Sequence, residues 1–115
     1  MKTFILASLC GLLLFVSIPA AAQIGGPTHG TIGPGTFTVI DNVIVEAEST
    51  LVVNPGTVFF FTGGYKFNIY GYFEAAGTPS DSIWFLRHPE YDVRWGSVIF
   101  QTGSSDSSRM NYCYL

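Results

Sequence analysis

The chain has 115 residues with a formal net charge of −3, a length that suits one domain and a balance that offers no basic footprint for nucleic acid. Charged residues make up only 11% and aromatics 16%, so the charged wet faces of surface helices are missing and β-structure is favoured. The same charge-poor, mildly acidic composition argues against an anionic membrane surface as partner.

Residues 1–22 read as a secretory signal peptide. Lys2 supplies the positive start, residues 4–16 the apolar core, and Pro19-Ala20-Ala21-Ala22 the small-residue end, with cleavage expected before Gln23. The apolar run is short of the roughly 20 residues that a membrane span needs. Cys10 follows Leu9 where a lipoprotein signal requires a small residue, and it sits too early in the apolar core. Cleavage leaves Cys113 without a partner for an internal disulfide, so it is expected as a small buried strand residue.

Residues 23–42 are expected to be a leader and an N-terminal cap. The Gly-, Pro- and Thr-rich stretch 24–35 has no apolar periodicity and reads as irregular. Thr36-Phe37-Thr38-Val39-Ile40 alternates and reads as a strand, ended by the turn pair Asp41-Asn42.

From Val43 the chain repeats itself. Val43 and Val45 are answered by Phe67 and Ile69, and Phe59 and Phe61 by Ile83 and Phe85, each at an offset of 24 residues. Short alternating apolar pairs at a constant period are the signature of a stacked β architecture. Three passes follow, over 43–61, 67–86 and 97–115. Asn54-Pro55-Gly56 makes a corner in which Gly supplies positive φ, and Gly63-Gly64 and Gly77-Thr78-Pro79-Ser80-Asp81 make others. Val98 and Phe100 answer Phe67 and Ile69 at an offset of 31, which marks residues 87–95 as an inserted loop. The final segment, 109–115, reads as a strand that stops without a cap, so the chain is expected to continue into further coils of a longer protein.

Alternation across a strand sends one set of side chains inward. That set is Val43, Val45, Leu51, Val53, Phe59, Phe61, Phe67, Ile69, Phe73, Ala75, Ile83, Phe85, Val98, Phe100 and Met110. Thr50, Asn68, Tyr70, Tyr72 and Trp84 fall on the other face. An antiparallel β-sandwich also accepts short alternating strands, but it has no reason to repeat at a constant spacing.

The segments Leu51-Val52-Val53-Asn54-Pro55-Gly56-Thr57, Gly71-Tyr72-Phe73-Glu74-Ala75-Ala76-Gly77-Thr78, Ile83-Trp84-Phe85 and Trp95-Gly96-Ser97-Val98-Ile99-Phe100 resemble the opening coils of exported right-handed parallel β-helix proteins. The resemblance covers about residues 30–115 and implies an all-β solenoid of about three coils. The family includes polysaccharide lyases and hydrolases, adhesins and other surface proteins.

Candidate chemistry is sparse. Asp41, Glu46, Glu48, Glu74, Asp81, Glu90, Asp92 and Asp106 are spread one or two per pass. Glu46 and Glu48 flank a turn and read as a solvated corner. His88, Glu90 and Asp92 share the inserted loop, where an exposed polar loop stiffened by Pro89 is the simpler reading. No repeated Asp-rich calcium motif occurs, so no metal or other cofactor is expected. The candidate contact residues are the outward aromatics Tyr70, Tyr72, Trp84, Tyr91 and Trp95, which suit stacking on sugar rings. A secreted or cell-surface structural or adhesive module touching polysaccharide is the functional expectation. The N-terminal, non-catalytic part of a polysaccharide lyase or glycoside hydrolase is the alternative.

Overall fold

The computed structural model describes residues 22–91, 94 and 96–115. The signal-peptide reading, apart from Ala22, thus concerns residues outside the described ones. The described residues form strands and no helix: β1 (Ala22–Pro27), β2 (Gly30–Ile32), β3 (Gly35–Val45), β4 (Thr50–Val53), β5 (Thr57–Phe61), β6 (Phe67–Ile69), β7 (Tyr72–Ala76), β8 (Ile83–Arg87), β9 (Val98–Phe100), β10 (Arg109–Asn111) and β11 (Cys113–Tyr114).

Every strand pairing is parallel. Parallel partners need a long crossover, usually a helix. Here the crossover is itself made of strands. A four-stranded sheet runs β10-β7-β4-β2, and a seven-stranded sheet runs β11-β8-β5-β3-β6-β9 with β1 also paired to β3. The first half of β3 carries β5 (Phe37 beside Phe59), and the second half carries β6 (Val43 beside Phe67). Each pass of the chain therefore lays down three short strands, and the next pass pairs with them in the same order.

The interior follows from alternation. Val43, Val45, Leu51, Val53, Phe59, Phe61, Phe67, Ile69, Phe73, Ala75, Ile83 and Phe85 are all at most 1% exposed, as their parity requires. Phe37, Phe59 and Phe85 form a ladder up one face, with ring centroids 5.8 and 5.0 Å apart. Phe67 meets Phe59 and Phe85 edge-on, at 5.2 and 5.7 Å. Full burial of each such ring contributes about 1.5–3 kcal/mol, and favourable ring pairs add roughly 0.5–1.5 kcal/mol.

Four sequence expectations need correction. The register between β5 and β8 is 26 residues, not 24, so Phe59 pairs with Phe85 rather than with Ile83. The pairing of β4 with β7 is offset by 22, with Leu51 beside Phe73. The corner before β8 is thus four residues longer than the Asn54-Pro55-Gly56 corner before β5. Thr78 and Asp81 close its extra length by exchanging backbone hydrogen bonds at 3.1 and 3.2 Å. A slip of two leaves every side chain on its expected face, which a slip of one would not.

Second, residues 24–35 are not irregular. β1 runs parallel to β3, and β2 sits beside β4 at the edge of the other sheet. Third, Asp41-Asn42 does not end a strand. β3 continues through it, and its register with β1 shifts between Ile24 and Gly26, so β3 gains residues there and bends. A Cβ on Gly25 would lie 2.8 Å from Asp41 Cβ, so the close approach at the bend needs glycine. Val39, which shares the parity of Phe37 and pairs with the inward Phe61, is 0% exposed, a core residue that the expected set omits. Fourth, Phe100, expected inside, lies over Phe73 at 6.2 Å between centroids but remains 44% exposed.

Candidate functional site

Tyr70 and Tyr72 flank Gly71 at the corner between β6 and β7. That corner nests on the one between β3 and β4, which Ser49 N–H closes by donating to Glu46 O at 2.9 Å. Tyr70 N–H donates to Val45 O at 2.8 Å and Tyr72 N–H to Ser49 O at 3.0 Å. A Cβ on Gly71 would sit 2.3 Å from the carbonyl oxygens of both Glu46 and Ser49, so only glycine lets the two corners approach this closely. From the next pass, Ser105 N–H donates to Gly71 O at 3.0 Å.

Three stacked corners therefore enclose an open cleft of about 260 Å³. Its walls are Ala47, Glu48, Ser49, Thr50, Tyr70, Gly71, Tyr72, Gly103 and Ser105. The volume falls just below the roughly 300–1,000 Å³ typical of drug-sized ligand sites, which suits a single ring better than an extended ligand.

Tyr72 is held in place. Its hydroxyl donates to Glu74 Oε1, two residues on and on the same face of β7. Arg109, whose register partner on β7 is Glu74, donates from Nη2 to Glu74 Oε2 at 3.3 Å. The Tyr72 hydrogen bond, reinforced by the Arg109 guanidinium, holds the Glu74 carboxyl below the usual carboxylate range. The same bond pushes the Tyr72 phenol above its ordinary value. Tyr70 has more freedom and is 42% exposed.

The other expected aromatics lie elsewhere. Trp84 points outward from β8 and stacks on its register partner Tyr114, with centroids 4.3 Å apart and planes 17° apart. One of its ring faces is therefore already covered. Tyr91 meets the His88 ring edge-on at 4.9 Å, and His88 in turn meets Phe60 at 5.7 Å. His88 Nδ1 accepts from Glu90 N–H at 3.1 Å, so the imidazole is engaged in shaping its own loop. Trp95 and Asp92 lie outside the described residues. The outward aromatics thus divide between a cleft and a sheet face instead of forming one surface.

Sequence reasoning missed the polar half of the cleft. Ser49, Thr50, Gly103 and Ser105 carry no motif, and they meet Tyr70 and Tyr72 only because successive corners stack. Tyr114 was equally hidden, since its 30-residue offset from Trp84 matches no earlier period. Among the described residues, no three His, Cys, Asp or Glu side chains gather in a way that could hold a metal ion. Cys113 packs against the core, and its thiol donates to Ala75 O at 3.2 Å. Burial pushes that thiol upward, away from nucleophilic behaviour at neutral pH.

No protein-family model matches the chain, and no curated protein or solved structure matches it.

Proposed function

We propose that the protein is an exported right-handed parallel β-helix module with a structural or adhesive role outside the cell, and that it contacts glycans through outward tyrosines. The signal-peptide pattern of residues 1–22 and the all-parallel, three-strand passes support the first half of this reading. The observation that carries the second is the cleft at Tyr70 and Tyr72.

A pyranose ring has an apolar C–H face and a rim of hydroxyls. Aromatic side chains with a polar edge suit the first, and a few fixed polar groups suit the second. The cleft offers both: two tyrosines, one with its hydroxyl anchored by Glu74, beside Glu48, Ser49, Thr50 and Ser105. The scaffold beneath is a packed aromatic interior, so little ordering of the site remains to oppose binding.

The test is affinity electrophoresis of the full chain and its Tyr70→Ala variant through gels carrying different polysaccharides. Retardation of the wild type by at least one polysaccharide, lost in Tyr70→Ala, is expected. Equal retardation of both proteins contradicts the assignment of the cleft, and free migration in every gel contradicts glycan contact.

A further inference from the structure

The walls of the cleft are one-sided in charge. Glu48 lines it, Glu46 belongs to the same corner, and Asp106 follows Ser105 directly. Neither Lys nor Arg lines it among the described residues. Arg109 is paired with Glu74 at 3.3 Å and is not among the wall residues. A bound sugar therefore meets the Glu48 carboxylate and two tyrosine rings, with no positive wall group among the described residues to receive an acid.

We propose that the cleft selects a single amino-bearing pyranose, a protonated hexosamine within a glycan chain, and discriminates against uronate rings. This rests on the glycan-contact reading above and assigns its ligand class. An ammonium group is drawn to the negative face of a tyrosine ring and to a carboxylate within the same few ångströms. A uronate carboxylate in that position meets the Glu48 carboxylate in the cleft wall. Like charges so juxtaposed act against binding even where all other contacts are equal. The 42% exposure of Tyr70 leaves its ring available to the ligand, while Tyr72 is fixed by its hydroxyl. Tyr70 thus supplies the adaptable wall and Glu48 the charge that selects.

The experiment is a two-dimensional amide NMR titration of the full chain at mildly acidic pH, where a sugar amine is protonated. Trimers of glucosamine, N-acetylglucosamine and galacturonate serve as probes, and the amides of Gly71 and Gly103 report on the cleft. The glucosamine trimer should move both signals and bind about tenfold tighter than the N-acetylated trimer. Glu48 is exposed, so Glu48→Gln should keep the wild-type melting midpoint while reducing that preference to about twofold. The galacturonate trimer should leave both amides unmoved. Equal binding of the acetylated trimer, an unchanged preference in Glu48→Gln, or binding of galacturonate at Gly71 overturns the charge selection while leaving glycan contact standing. Failure of all three trimers to move Gly71 or Gly103 overturns both.

Discussion

Replacing Phe85 by alanine and replacing Trp84 by alanine alter neighbouring positions of β8, yet the two changes should differ severalfold in cost. Phe85 is 0% exposed, stacked on Phe59 at 5.0 Å and met edge-on by Phe67 at 5.7 Å. Full burial of such a ring contributes about 1.5–3 kcal/mol, each of its two ring pairs roughly 0.5–1.5 kcal/mol, and the cavity left by its removal adds to both. Alanine keeps part of that, but the surrounding rings belong to different strands of a paired sheet and cannot collapse into the gap. A loss of about 4 kcal/mol follows, within the range of measured Phe→Ala substitutions. Trp84 is 39% exposed and its main contact is the stack with Tyr114. That pair is worth about 0.5–1.5 kcal/mol, so Trp84→Ala should cost about 1–2 kcal/mol in all. Urea unfolding of the wild type and both variants, analysed with a shared slope, measures the difference. Equal losses, or a larger loss at Trp84, would refute the assignment of inward and outward faces on β8.

Four further outcomes are expected. Gly71→Ala drives a Cβ to within 2.3 Å of two backbone carbonyls, so its cost in urea unfolding should reach the upper end of the roughly 1–3 kcal/mol of overpacking. Thr57 is buried and its hydroxyl donates to Asn54 O at 2.8 Å; Thr57→Val should cost about 1–2 kcal/mol in the same assay by leaving that carbonyl without its partner. Tyr72→Phe removes the main cause of Glu74's lowered pKa, so a carboxyl NMR titration should show Glu74 protonating at higher pH than in the wild type. Because the folded-state pKa of Glu74 is depressed, its contribution to stability is present above the unfolded value near 4.5 and is lost as pH falls through the folded one. The raised pKa of Tyr72 makes its share complete below the unfolded value near 10 and lost as pH rises through the folded one, so Tyr72→Phe should lower the mid-pH plateau and shrink the fall in stability on both sides of it. Mass spectrometry of exported protein should find Gln23 at the N-terminus, and a secreted product that retains Met1 contradicts the signal-peptide reading.

Much of the interior was legible because parity is a local property. Val43, Phe59, Phe73 and Phe85 declare their faces through their immediate neighbours, and no knowledge of partners is needed. Register is different, since it depends on corner length. In register, the seven residues 76–82 stand in place of the three-residue corner 54–56, and composition alone does not reveal how that backbone folds back. The strand character of β1 was hidden for a related reason: Gly25, Gly26 and Pro27 have little strand preference of their own, and the edge of β3 supplies the pairing. The cleft was half legible. Tyr70 and Tyr72 stand out as outward aromatics, but Glu48, Gly103 and Ser105 join them only through the stacking of corners from three separate passes.

Proton–proton contacts across β5 and β8 report whether successive passes stack in this register. In an isotope-labelled sample, the backbone of Phe59 should show cross-strand contacts to Phe85, and that of Val58 to Trp84, in the pattern of a parallel pair. Contacts linking Phe61 to Phe85 would instead restore the even 24-residue repeat, and an antiparallel pattern at these positions would contradict the architecture as a whole.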